Sequence, residues 1–142
     1  MEQRVSLITL GVADAHRAAA FYEALGWVQV ETQDGVSAFD LLGQTLMLYP
    51  LDKLADDIGI DVGQLGRGAL TLGYNAPDRA GVDDVMGRVT AAGGTVLKPP
   101  QEVFWGGYHG YFSDPEGHIW EVAHNPFSPL RDGDGAFRWT GY

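Results

Sequence analysis

Thr9-Leu10-Gly11 recurs as Thr71-Leu72-Gly73, sixty-two residues later, and the elements around the two copies repeat in the same order. Residues 4–12 (RVSLITLGV) are a β-rich run, and Asp14 suits the N-cap of a helix over 15–25. Ala18, Phe21, Tyr22 and Leu25 fall on one face of that helix, and Gly26 stands where a C-terminal glycine ends one. Three short runs follow at 27–32, 36–41 and 45–49, broken by Gln33-Asp34-Gly35 and by Gly43. The second half starts again with a strand over 69–75. A helix from Asp78 or Arg79 to about Ala92 has Val82, Val85, Val89 and Ala92 as its core face. A strand over 95–98, a bend at Pro99-Pro100 and a hairpin complete it. Both halves read β-α-β-β-β, which predicts a duplicated unit.

The hairpin is the most explicit stretch. One strand spans 108–113, Asp114-Pro115-Glu116-Gly117 form the turn, and 118–124 return. Asp can bond the backbone ahead of it, Pro presets φ, and Gly takes the positive φ. The fourth strands match as Gly43-Gln44-Thr45-Leu46-Met47 and Gly117-His118-Ile119-Trp120-Glu121. These readings give an α+β fold in a single domain over 1–142. Its first module is about 4–50, its connector 51–67, its second module about 68–126, and its tail 127–142. Leu51–Ile58 has room for one or two helical turns, and the glycines beyond it argue against more. The tail carries Phe137, Trp139 and Tyr142 among glycines, so packing on the body, packing on a second subunit and a loose tail all stay open.

Nine Lys and Arg against nineteen Asp and Glu give a net charge of −10, which excludes wrapping of nucleic acid. The sequence has no cysteine, hence no disulfide framework or thiolate chemistry. No charged-then-apolar leader and no apolar run near membrane-spanning length stands out. The expectation is a cytoplasmic protein with no membrane partner. P-loop, GxGxxG, GxSxG and HExxH motifs are absent from the sequence.

TLGVAD at 9–14, FYEALGW at 21–27 and GYFSDPEGHIWEVAHNP at 110–126 resemble the vicinal oxygen chelate superfamily of glyoxalase I, bleomycin-resistance proteins and extradiol dioxygenases. The resemblance covers about residues 4–126. It implies two βαβββ modules, often in a homodimer, whose curved mixed sheets enclose a cavity for a small molecule. It also implies one divalent metal with a ligand from the first and fourth strand of each module. Mapped through the repeat, those positions are Leu7, Met47, Ala69 and Glu121. Three are apolar, and a thioether is a poor ligand for a hard or borderline ion. No cofactor is therefore expected, the alternative being a divalent metal.

Glu121 is a charge amid apolar residues, and burying it unpaired is costly. It is a candidate base, with a hydrogen-bonded structural role as the other reading. A simple register pairing Ser113 with His118 sets His109 opposite Val122, away from Glu121; a bulge at Gly117 would reverse that. His109 and Glu121 are the pair to watch for a metal, with Gln44 and His124 as further donors. Phe104-Trp105-Gly106-Gly107-Tyr108 reads as a loop closing over a cavity. Trp105, Tyr108, Phe39, Met47 and Leu7 are the expected ligand contacts. The leading expectation is a protein that binds a small apolar or aromatic molecule without metal. A metal-dependent lyase, isomerase or dioxygenase, and a metal-free enzyme with Glu121 as base, remain as alternatives.

Overall fold

The computed structural model describes residues 5–30, 35–66 and 70–140. The chain divides into two units, Met1–Gly68 and Ala69–Tyr142. Among the described residues no helix is long and apolar enough to cross a membrane.

In the first unit, β1 (Leu7–Val12) leads into α1 (Ala15–Ala24), followed by β2 (Ser37–Asp40) and β3 (Thr45–Pro50). Among the described residues the sheet order is β1-β3-β2, with β1 parallel and β2 antiparallel to β3. The Asp14 carboxylate accepts from the Arg17 N–H at 3.0 Å, satisfying a free donor of the first turn. Alternation sends Leu10, Val12, Phe39, Leu46 and Leu48 to one face, all buried. Phe21 and Tyr22 of α1 are buried too, and Tyr22 and Trp27 close around Phe39 at centroid distances of 5.7 Å. Each such ring contributes on the order of 2 kcal/mol by burial. The strand expected over 27–32 reduces to a single bridge, Val30 with Ala38, and residues 31–34 lie outside the described part.

The connector holds the two helical turns its sequence has room for. Leu51–Ile58 is a helix, α2, ended by Gly59 at φ +80°, and Val62–Gln64 adds a 3-10 turn capped by Asp61. A Cβ on Gly11 would meet the Leu51 side chain at 2.7 Å and that of Leu54 at 3.2 Å, so α2 needs a glycine in β1 to come this close. Tyr49 anchors it by donating to Asp57 at 2.7 Å.

In the second unit, β4 (Leu72–Asn75) leads into α3 (Arg79–Val89), then β5 (Thr95–Glu102), β6 (Tyr108–Ser113) and β7 (Ile119–His124). The order is β4-β7-β6-β5, with β4 parallel to β7 and the other pairs antiparallel. Helix α3 buries Val82, Met86 and Val89; Met86 takes the place expected of Val85, which is half-buried. Opposite it the sheet presents Phe112, Trp120 and Val122. Gly110 lies under Met86, where a Cβ would come within 3.0 Å of its methyl and 2.9 Å of the Lys98 carbonyl. The bend expected at Pro99-Pro100 is instead the middle of β5. A proline cannot donate to a ladder, and the prolines fall on an edge strand where the register shifts between Lys98 and Gln101. The tail folds back on itself: Thr140 N–H donates to the Ser128 hydroxyl at 2.8 Å and Thr140 Oγ1 to the Phe127 carbonyl at 2.6 Å.

Candidate functional site

The turn between β6 and β7 decides the site. Gly117 takes φ +86°, the Gly117 N–H donates to the Asp114 carbonyl, and the Asp114 N–H to the His118 carbonyl, each at 3.0 Å. Asp114, 3% exposed, gathers the Glu116 and His118 N–H groups and the His118 ring at 2.8–2.9 Å. This is a three-residue loop with a glycine bulge. It pairs Ser113 with Ile119 rather than His118, so His109 lies opposite Ala123 and Tyr111 opposite Glu121. The simple register is thus corrected by one residue, and His109 joins the Glu121 face.

On that face four polar side chains form one chain of contacts. His109, 8% exposed, brings Nδ1 to 2.7 Å from Glu121 Oε1, and Tyr111 Oη donates to the same oxygen at 3.0 Å. On the far side of the imidazole, Lys98 Nζ is 3.1 Å from Nε2. An ammonium only donates, so Nε2 accepts and Nδ1 carries the proton toward Glu121. Burial, the Glu121 hydrogen bond and the Glu121 charge together raise the Tyr111 hydroxyl above 10.0, its ordinary value. The His109 and Tyr111 rings meet edge to face at 5.0 Å, and Lys98 Nζ lies 5.8 Å from the Tyr111 centroid. No buried side-chain nitrogen or oxygen among the described residues lacks a partner. Gly73, the β4 partner of Glu121, has nothing within 4 Å of where its Cβ would stand, which leaves space beside the carboxylate.

At the hairpin end, 103–107 form a tight turn, with the Gly106 N–H donating to Val103 O and the Val103 N–H to Gly107 O. Gly106 has φ +91°, and the Trp105 indole fills the space where a Gly107 Cβ would be. Gly107 stands just before β6, and the Trp105 ring packs against it.

The other expected contacts separate. The one-residue shift that brings His109 in moves Tyr108 out, to the α3 face. Its hydroxyl donates to Asp83 at 2.8 Å and Arg79 lies 5.5 Å from its ring. That bond to a carboxylate is the main reason the Tyr108 hydroxyl, too, is raised above its ordinary value. In the first unit Phe39, 1% exposed, belongs to the α1 core. Leu7, 46% exposed, and Met47, paired with Thr9, share the opposite face of that sheet. Lys98 and Tyr111 were missed as site residues. Lys98 could have been found as a lone basic residue in a β-run, but only the register places it.

The repeat also needs correcting. The caps Asp14 and Asp78 are sixty-four residues apart, and Thr9 pairs with Met47 as Gly73 pairs with Glu121. The Thr-Leu-Gly identity is two residues out of step, so the counterpart of Leu7 is Thr71, not Ala69, which lies outside the described residues. A leucine, a thioether, a threonine and a carboxylate already accepting two bonds do not fit a divalent ion. Among the described residues no three His, Cys, Asp or Glu side chains gather closely enough to hold a metal ion.

A family model described as the Glyoxalase/Bleomycin resistance protein/Dioxygenase superfamily matches residues 4–122. A solved glyoxalase-related enzyme from Fulvimarina pelagi is 34% identical, with TM-score 0.90 over 99% of this chain and 100% of its own. A glyoxalase/bleomycin resistance protein/dioxygenase family enzyme from Burkholderia phytofirmans is 19% identical, with TM-score 0.77 over 84% and 96%. A lactoylglutathione lyase from Agrobacterium tumefaciens is 24% identical, with TM-score 0.69 over 88% and 96%. The last two likenesses speak for the fold alone. No curated protein matches this chain.

Proposed function

As the chain belongs to the Glyoxalase/Bleomycin resistance protein/Dioxygenase superfamily, we propose that it binds a small, flat organic molecule without a metal. The ligand lies on the Glu121 face of the second sheet. The observation that carries this reading is the state of Glu121. Its Oε1 is engaged by His109 and Tyr111, and the related positions Leu7, Met47 and Thr71 offer no strong ligand. His109 and Tyr111 supply flat apolar surface, and Lys98, Glu121 and the Tyr111 hydroxyl a few polar groups, the usual make-up of a small-molecule site.

Turnover is the second reading, supported by the His109–Glu121 pair. A carboxylate bonded to Nδ1 orients the imidazole, and proton transfer at Nε2 requires Lys98 first to release that nitrogen. The resemblance to an enzyme at 34% identity points the same way.

Elemental analysis of protein purified without chelator, wild type beside Glu121→Ala, tests the metal-free reading. The expected result is well under one metal per chain in both. About one per chain in the wild type and none in the variant would replace it with a metal-dependent enzyme.

A further inference from the structure

Lys98 is a half-buried cation with an unusual neighbour. Its ammonium meets an imidazole nitrogen at 3.1 Å, and among the described residues no carboxylate stands within ion-pair distance of it. One of its three N–H donors goes to Nε2, which leaves two for a ligand. The ring that holds it is itself fixed, 8% exposed and bonded through Nδ1 to Glu121. Much of the entropy a flexible lysine loses when it grips an anion is therefore already spent in the free protein. Beside the ammonium stand the His109 and Tyr111 rings, inclined at 69° and 5.0 Å apart.

We propose that Lys98 is an anion anchor, with His109 and Glu121 as its positioning residues. The ligand it selects is a small planar monoanion, an aromatic or conjugated carboxylate or phenolate. This rests on the small-molecule reading above and gives that ligand its charge. A cationic ligand is disfavoured. Glu121 Oε1 is already occupied by two donors, whereas the Lys98 ammonium meets no carboxylate among the described residues. A phosphate dianion is disfavoured as well. A single ammonium leaves the second charge of a dianion uncompensated, beside the Glu121 carboxylate. A single carboxylate takes two N–H donors from one ammonium, while its ring covers the Tyr111 ring, whose centroid lies 5.8 Å from that ammonium.

The test uses three probes of one shape: benzoate, benzamide and benzylamine. Each is titrated against the full chain by protein-observed NMR at constant ionic strength. The expected result is benzoate binding about tenfold tighter than benzamide, as one charge-assisted bond of ~1.4 kcal/mol gives, with benzylamine weakest. In Lys98→Met the preference disappears and benzamide is unaffected; in Lys98→Arg it is kept. Equal binding of benzoate and benzamide to the wild type would overturn the anchor and leave the small-molecule reading standing. Failure of all three to bind would overturn both. The wild-type comparison holds whether or not a variant folds.

Discussion

His109 Nδ1 and Glu121 Oε1 are 2.7 Å apart although the two residues are not ladder partners. His109 pairs with Ala123, and Glu121 with Tyr111. The contact runs diagonally across the antiparallel pair, within reach of two long polar side chains on one face. Two donors converge on one carboxylate oxygen, and one of them, His109, is nearly buried.

Glu121→Leu therefore strands the His109 and Tyr111 donors and is expected to cost roughly 1–3 kcal/mol. Glu121→Gln keeps an acceptor oxygen and is expected to cost less than about 1 kcal/mol. Urea unfolding of the two variants measures the difference. Equal losses would mean that the oxygen does not hold the two donors.

Gly117 has φ +86° in the bulge that sets the β6–β7 register. Gly117→Ala is expected to lose about 1–2 kcal/mol, the cost of a side chain in the left-handed region. Gly117→Asn should lose less, since Asn tolerates that region. Thermal unfolding of both checks the order, and a reversed order would contradict the bulge.

Gly110 and Gly107 are tight for different reasons, and their variants should differ. Alanine at 110 strikes backbone, the Lys98 carbonyl at 2.9 Å and the Pro100 nitrogen at 3.1 Å. A loss of roughly 1–3 kcal/mol is expected. Alanine at 107 strikes the Trp105 indole, which can swing away. A smaller loss with a shift in tryptophan emission is expected there. Gly107→Ala more destabilising than Gly110→Ala would place the rigid contact at the wrong glycine.

Tyr108 and Tyr111 hold their hydroxyl protons more tightly in the folded chain than a free tyrosine does, the first mainly through Asp83, the second mainly through burial. Folded pKa values above unfolded ones give stability that is complete below about pH 10 and lost as pH rises through the folded values. Alkaline unfolding monitored at the tyrosinate absorbance should show this. Tyr108→Phe and Tyr111→Phe should each flatten the decline, and Glu121→Gln should lower the Tyr111 titration. A decline unchanged in both Phe variants would rule these two hydroxyls out as its source.

Much of this fold is legible because its signals are local. Asp14, Asp78, Gly26 and Gly59 end or begin helices where their chemistry says they should. Asp114-Pro115-Glu116-Gly117 gives the turn, but the same four letters serve two loop lengths. One residue of difference flips every side chain of the paired strand. That single ambiguity exchanged His109 for Tyr108 and hid Lys98. Phe39 was misplaced for a related reason: an aromatic in a strand fits either face until a helix claims one. The Thr-Leu-Gly identity misled because three matching letters outweighed the caps, which carry the true spacing.

Strand β4 opens the second unit, yet its ladder partner is β7, the unit's last strand, with Gly73 meeting Glu121 forty-eight residues on. During synthesis β4 and α3 leave the ribosome long before anything can pair with them. The β5–β6 and β6–β7 hairpins can zip locally, but joining β4 closes the longest loop of the sheet and is slow on entropic grounds. A nascent chain halted before residue 119 would carry an unpaired, sticky strand edge. The same late step places the backbone of β4 beside the Glu121 carboxylate, so the Glu121 face is finished only when the sheet is.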